Sequence, residues 1–207
     1  VIDHLVYATP DLDATVEDLA GRLGVRATPG GRHPGWGTRN ALVGLGGGAY
    51  LEIIGIDREA DGEAVHGPIP FGVDRLAGPR LAAWAALVDR IDDCVARAQA
   101  AGYDPGAVRS MSRRRPDGTE LRWRLTAPGA DPPEVVPFLI EWAPDVAHPS
   151  ATSVQGCRLV SFAAEHPDPP TVATRLRAVG VDLPVTPSRT AALVAVIDSP
   201  AGLVELR

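Results

Sequence analysis

The sequence predicts an α+β protein built from tandem βαβββ units, and three observations carry that prediction. An apolar strand, an amphipathic helix and strands ending in a hairpin follow one another three times along the chain. The glycines that close the three helices, Gly24, Gly102 and Gly180, are separated by the same interval of 78 residues. Each unit also ends with an acid inside an apolar strand, Glu52, Glu141 and Glu205 in turn. The units run over residues 1–56, 81–144 and 156–207, with linkers over 57–80 and 145–155, packed as one protein.

In the first unit, Val1 to Tyr7 is an apolar strand interrupted by His4. Thr9-Pro10-Asp11 reads as a helix cap, a proline in the first turn and an early acid. Leu12, Val16, Leu19 and Leu23 then recur at helical spacing, and Gly24 stops the helix. Thr28 to Asn40 reads as a loop rich in Gly, Pro and Arg. Ala41 to Leu45, a Gly46-Gly47-Gly48 turn and the strand carrying Glu52 read as a hairpin. The second unit has a strand over Leu81–Val88, a helix that Asp89 caps and Gly102 ends, and strands over Arg109–Arg115, Glu120–Leu125 and Val135–Trp142. Pro116-Asp117-Gly118 is the turn between the first two of these. The third unit has a strand over Cys157–Ala164, a helix capped by Asp168 with Pro169 at its first position, and a closing hairpin over Ala191–Leu206 turning at Ser199–Gly202.

Composition narrows the function. Hydrophobic residues make up 45% of the chain and charged residues 22%, as in a globular protein with a full core. The net charge of −6 disfavours nucleic acid, which needs a basic surface. Cys94 and Cys157 are too few for a disulfide framework. There is no run of membrane-spanning length and no signal-like N-terminal segment. The expectation is therefore a cytoplasmic protein that binds a small molecule, with no nucleic-acid or membrane partner.

A buried His or Glu is expensive unless it is paired, hydrogen-bonded or bound to a metal, so His4 and Glu52 are the candidate site. Read as residues alone, they are either the heart of a functional site or a satisfied polar pair in the core. The run His33-Pro34-Gly35-Trp36-Gly37-Thr38-Arg39-Asn40 is dense in hydrogen-bonding side chains. It reads either as a substrate-orienting rim or as a self-bonded surface loop. Trp84, Trp123 and Trp142 read as core packing or as an aromatic cavity wall. The run Arg113-Arg114-Arg115 reads as a solvated hairpin tip, the alternative being an anion-steering patch. His148 reads as a linker residue or one that reaches a barrel mouth, and His66 and His166 as exposed loop residues.

Repeated βαβββ units with His in the first strand and Glu in the last resemble the vicinal oxygen chelate superfamily. That group includes glyoxalase I, fosfomycin-resistance enzymes, extradiol dioxygenases and bleomycin-resistance proteins. More narrowly, residues 33–40, then Tyr50-Leu51-Glu52 and Phe138-Leu139-Ile140-Glu141-Trp142, are similar to the glyoxalase-like domain subfamily. The resemblance implies that two units curl into one incomplete barrel around the site, with the third unit added at the C-terminal end. By position it implies His4, Glu52 and Glu141 as ligands of a divalent metal (Mn, Fe, Zn or Mg), and Glu141 or Glu52 as the catalytic base. The candidate substrate-binding residues are His33, Trp36, Thr38 and Asn40 of the rim stretch, with Trp84 and Trp123 as cavity wall. Trp84 matches His4 in position and cannot bind a metal, which is a departure from the usual ligand set.

The implied activity is a metal-dependent isomerase or lyase step on a small carbonyl or enol compound. The alternative is a metal-independent small-molecule binder of the bleomycin-resistance type. In the third unit Arg158 stands where a ligand would, opposite Glu205; such an ion pair suggests a structural role or a homodimer interface.

Overall fold

The computed structural model describes residues 1–58, 67–114, 118–127 and 135–207. The first unit is β1 (Ile2–Ala8), α1 (Leu12–Leu23), β2 (Thr28–His33), β3 (Thr38–Gly44) and β4 (Tyr50–Ile56). The second is β5 (Arg80–Leu87), α2 (Ile91–Ala100), β6 (Val108–Arg114), β7 (Glu120–Thr126) and β8 (Phe138–Trp142). A short helix α3 (Pro149–Thr152) precedes the third: β9 (Arg158–His166), α4 (Pro169–Ala178), β10 (Val185–Pro187), β11 (Ala192–Ser199) and β12 (Gly202–Leu206). No helix among the described residues is long and apolar enough to cross a membrane. His66, Arg115 and the tip residues Pro116 and Asp117 lie outside the described residues.

The first two units close into one barrel in the order β1-β4-β3-β2-β6-β7-β8-β5. One seam is strong, with β1 antiparallel to β5 over the length of both strands. At the other seam β2 is antiparallel to β6, with Arg32 opposite Arg114 among the described residues. The third unit forms a separate four-stranded sheet, β10-β9-β11-β12. Its element order repeats that of the barrel units, but its sheet does not. In the first unit the opening strand lies beside the last strand, whereas β9 lies between β10 and β11. Arg158 and Glu205 consequently do not meet: Arg158 pairs with Asp198 at 2.8 Å and Glu205 with Arg207 at 2.8 Å.

Both faces of the central barrel strands are buried. Inward residues such as Val6, Ala83, Leu121, Phe138 and Ile140 pack around the interior. Outward residues such as Leu5, Leu51, Trp84 and Leu139 pack beneath the helices and against Phe162, Leu193 and Ile197 of the third sheet. The strands are therefore apolar at both parities, as in sheets covered on two sides.

Local signals explain most element ends. The helix-stopping glycines take left-handed φ values of 71°, 84° and 75° at Gly24, Gly102 and Gly180, a conformation that Cβ disfavours elsewhere. Asp168 caps α4 as expected, accepting from the Thr171 amide at 3.1 Å. The α1 cap is Asp11 rather than Thr9, its Oδ1 accepting from the Ala14 amide at 3.1 Å. Thr9 is fully buried instead, its hydroxyl 2.7 Å from that of Thr15. Helix α2 starts after Arg90 with no side-chain cap, so Asp89 does not cap it. The stretch 28–40 is no loop but the hairpin β2–β3. Pro29, Gly30 and Gly31 mask the strand, and an irregularity between Pro29 and Gly31 lets the pairing continue past them.

Candidate functional site

The site begins at an irregularity in β1. Ile2 pairs with Ala86 and His4 with Ala85, leaving Asp3 as the extra residue. Such bulges re-aim side chains. Asp3 Oδ1 lies 2.6 Å from His4 Nδ1. Its other oxygen accepts from the Trp142 indole N–H at 2.9 Å and lies 2.9 Å from His148 Nε2. Burial pushes the Asp3 carboxyl upward, but hydrogen bonds from His148 and His4 and their nearby charge more than offset that, holding it well below the usual carboxylate range. Asp3 is therefore ionised, and His4 donates to it through Nδ1–H. His4 Nε2 then faces Glu52 Oε2 across 3.6 Å, and the ring stacks on Tyr50 with centroids 4.7 Å apart.

A second chain of contacts crosses the barrel floor. Asn40 donates from Nδ2 to Glu52 Oε1, and its Oδ1 accepts from Arg113 Nη1 at 2.6 Å. These partners fix the amide orientation. His33 Nε2 lies 3.4 Å from Asn40 Nδ2 and Nδ1 lies 2.9 Å from the Thr38 hydroxyl. With the amide donating, His33 is the tautomer whose Nδ1–H points to Thr38. Gly30 leaves the space in which this chain is laid. A Cβ there would overlap Asn40 Oδ1 and Arg113 Nη1, although the backbone itself would accept a side chain. Gly30→Ala is expected to cost about 1–3 kcal/mol through overpacking, measured by urea denaturation, and to loosen Arg113 and Asn40 together.

Burial pushes His33 down to about 4, with Arg113 adding to the effect and Glu52 opposing it. A histidine neutral in the fold but titrating near 6.5 when unfolded makes the unfolded chain the better proton acceptor between these values. Stability is then complete above about pH 6.5 and is lost as pH falls toward 4, by up to about 3 kcal/mol. Denaturation curves at pH 7 and pH 4.5 should show this loss, and His33→Gln should remove most of the difference.

The cavity above the floor measures about 70 Å³. That is below the ~150 Å³ of an apolar cavity that holds benzene, so a larger ligand must extend through the rim. Trp36, Pro70, Met111 and Trp142 are the half-buried residues of that rim, while Trp123 and Phe138 form buried wall. Trp123 and Trp142 contact each other with centroids 5.3 Å apart. Phe71 contributes another ring from a left-handed conformation, φ 58°. For a non-glycine residue this costs of order ~1–3 kcal/mol and is held only by surrounding structure.

The structure brings His4, Glu52, His33, Trp36, Thr38, Asn40 and Trp123 around one cavity. Two expected members are elsewhere. Trp84 pairs with the outward-facing Leu5, donates its indole N–H to the Val135 carbonyl at 2.8 Å and packs edge-on against Phe162. Glu141 pairs with Arg124 on the outer face, 3.3 Å from its guanidinium; the inward residues of that strand are Phe138, Ile140 and Trp142. The strands run apolar at both parities, so the repeated acid marked the strand and not its inward face.

The donors present do not fit the three-ligand metal set. With Glu141 outside, the second unit offers Ala83, Ala85, Phe138 and Ile140 inward, none of them a ligand. Among the described residues no group of three His, Cys, Asp or Glu side chains is arranged to hold an ion. A guanidinium, Arg113, sits on the same floor and would repel a cation.

Residues that sequence reasoning missed are Asp3, Gly30, Phe71 and Arg113. His148, read as a linker residue or one that reaches a barrel mouth, ties the second linker to the floor through Asp3. Arg113 is 3% exposed, not part of a solvated tip. Its register was readable: Met111 opposite Trp123 puts Arg113 opposite Leu121, on the apolar face of the hairpin. His166 is half-buried, its Nδ1 accepting from the Asp168 amide at 2.9 Å.

The glyoxalase-like domain family profile matches residues 2–190. The chain belongs to the glyoxalase-like domain family. It thereby joins the vicinal oxygen chelate superfamily. A hypothetical protein from Staphylococcus aureus has the same fold along its whole length, with TM-score 0.67, 14% identity, and 100% of this chain and 98% of that chain covered. Methylmalonyl-CoA epimerase from Mycobacterium tuberculosis is 25% identical, with TM-score 0.45, over 69% of this chain and 88% of its own. A Streptomyces coelicolor methylmalonyl-CoA epimerase in complex with 2-nitronate-propionyl-CoA is 22% identical, with TM-score 0.44, over 69% and 96%. No curated protein sequence matches this glyoxalase-like protein.

Proposed function

We propose that this glyoxalase-like protein holds a small carbonyl or enol compound in its barrel and moves a proton beside the carbonyl, as an isomerase or lyase. One observation carries the reading: His4 is gripped by Asp3 at Nδ1 and presents Nε2 to a buried cavity shared with Glu52. In that arrangement Nε2 has the lone pair. It takes the proton from the carbon next to the carbonyl, and the electron pair moves onto the carbonyl oxygen to give an enolate. Asp3 and Glu52 hold the imidazolium so formed, and the ring returns the proton to the α-carbon or, where that carbon bears a hydroxyl, to the former carbonyl carbon, the hydroxyl passing its own proton to the former carbonyl oxygen as it becomes the new carbonyl. A positioned imidazole of this kind contributes about 10²–10⁴-fold. Glu141, on the outer face, takes no part, and no step passes through a metal.

The aromatic wall and rim favour a second reading, in which the barrel sequesters an apolar compound unchanged. Exchange of α-hydrogens for solvent deuterium, followed by NMR over a panel of small ketones and 2-oxo acids, separates the two. The proton-transfer reading expects exchange that EDTA leaves intact, that His4→Gln lowers by about 10²–10⁴-fold and that Glu52→Gln weakens. Binding without exchange would establish sequestration instead. Loss of exchange on chelation would overturn the metal-free chemistry.

A further inference from the structure

We infer that the Tyr50 hydroxyl is the hydrogen-bond donor that receives the ligand's carbonyl oxygen and stabilises the enolate formed there. The inference rests on the proton-transfer reading and adds the group that meets the oxygen, which that reading leaves bare.

Buried polar groups are almost always hydrogen-bonded, and one that is not calls for an explanation. Tyr50 is 4% exposed and lines the cavity. Its hydroxyl has no hydrogen-bond partner among the described residues. The oxygen is nevertheless not enclosed by protein, so it opens on the cavity. The ring is placed without it, stacking on His4 at 4.7 Å and meeting His148 in a T at 5.7 Å. The other polar side chains of the cavity are engaged. His33 meets Thr38, Asn40 bridges Glu52 and Arg113, and His4 is held by Asp3.

Donor and base are neighbours by construction, since Tyr50 of β4 lies opposite His4 of β1 in their parallel pairing. A carbonyl oxygen and the hydrogen on the next carbon lie close together in a molecule, so the donor and the base that serve them must stand side by side. The hydroxyl also keeps its proton. Burial pushes it well above its usual range, with the Asp3 and Glu52 carboxylates adding to the effect and Arg113 opposing it. As His4 Nε2 takes the α-proton, the C–H pair forms the carbon–carbon double bond and the carbonyl pair moves onto the oxygen. The hydrogen bond from Tyr50 tightens on that charge, and the phenol proton stays on Tyr50. A donor aimed at charge that develops only in the transition state raises the rate more than the affinity.

Infrared spectroscopy of carbonyl-labelled acetophenone tests this, because its phenyl ring suits the aromatic rim and its methyl group carries α-hydrogens. Bound to the wild-type protein, its carbonyl stretch should lie below its position in cyclohexane, and Tyr50→Phe should bring it back. Tyr50→Phe should also lower α-hydrogen exchange by about 10²–10³-fold while weakening binding by less than about tenfold. Its melting temperature should not fall, because no protein group loses a partner. An unshifted band in the wild type would overturn the inference, and that measurement needs no variant to fold; so would the absence of binding. Undiminished exchange in Tyr50→Phe, or a clear loss of stability, would overturn it as well. Trp123, 8% exposed, is the other buried cavity residue whose donor has no partner among the described residues. A band shift lost in Trp123→Phe and kept in Tyr50→Phe would overturn the assignment to Tyr50. A shifted band without any α-hydrogen exchange keeps Tyr50 as the carbonyl donor and removes the proton-transfer reading.

Discussion

Trp84→Ala should lower stability by about 3–5 kcal/mol while leaving ligand binding in the barrel intact. The side chain is 1% exposed and sits where the outer surface of the barrel meets the third sheet, edge-on to Phe162 with centroids 5.3 Å apart. Truncation removes a large buried area, opens a cavity between two rigid sheets, and leaves the Val135 carbonyl without its 2.8 Å donor. For a chain of this length the loss corresponds to a fall in melting temperature of roughly 10 °C, read by calorimetry or circular dichroism. Trp84→Phe separates the contributions, because it keeps most of the packing and forfeits the indole hydrogen bond, worth about 1–3 kcal/mol when the acceptor stays buried. A Trp84 that lined the cavity would behave otherwise, with ligand affinity falling in parallel with stability. The variant therefore also tests whether the third unit is needed to hold the barrel together from outside.

Trp84 shows where sequence reasoning succeeds and where it fails. Helix ends were legible because glycine and Asp168 act locally, through left-handed φ and a capping hydrogen bond. The β3–β4, β6–β7 and β11–β12 hairpins were legible because turn residues separate their strands, whereas β2–β3 read as a loop because Pro29, Gly30 and Gly31 mask β2. The facing of a barrel strand is a different kind of information. Leu81 to Ala86 is apolar at every position, because helices and the third sheet cover one side and the barrel interior the other. Parity then carries no sign, and Trp84 and Glu141 were assigned by analogy of position. His4 and Glu52, which line the interior, were legible as polar residues in largely apolar strands, whereas Asp3, the other polar residue of β1, was not. The members of the floor that were missed depend on pairing. Arg113 faces inward only through its register with β7, and Asp3 joins His4 only through an irregularity against β5, which no pattern within β1 announces.

That irregularity makes Asp3 the residue whose loss should reach furthest. Asp3 is 1% exposed and gathers His4, Trp142 and His148 on one carboxylate. Asp3→Ala would leave the buried His4 and the half-buried His148 and Trp142 without their acceptor, at an expected cost of about 3–5 kcal/mol, measured by urea denaturation at neutral pH. The sign of the pH dependence follows from the depressed carboxyl. Its contribution is present above the ordinary aspartate value of 3.8 and disappears as pH falls through the lower folded value. Wild type and Asp3→Ala should therefore converge only in strong acid. Asp3→Asn separates structure from chemistry. The amide keeps the shape and one acceptor oxygen, so the fold should survive with a smaller loss. Its NH₂ can donate to His4 Nδ1, however, which moves the imidazole proton to Nε2 and takes the lone pair out of the cavity. Under the proposed chemistry Asp3→Asn then lowers α-hydrogen exchange by about 10²–10⁴-fold. Exchange that survives this substitution would remove His4 from the proton path, whatever the stability of the variant.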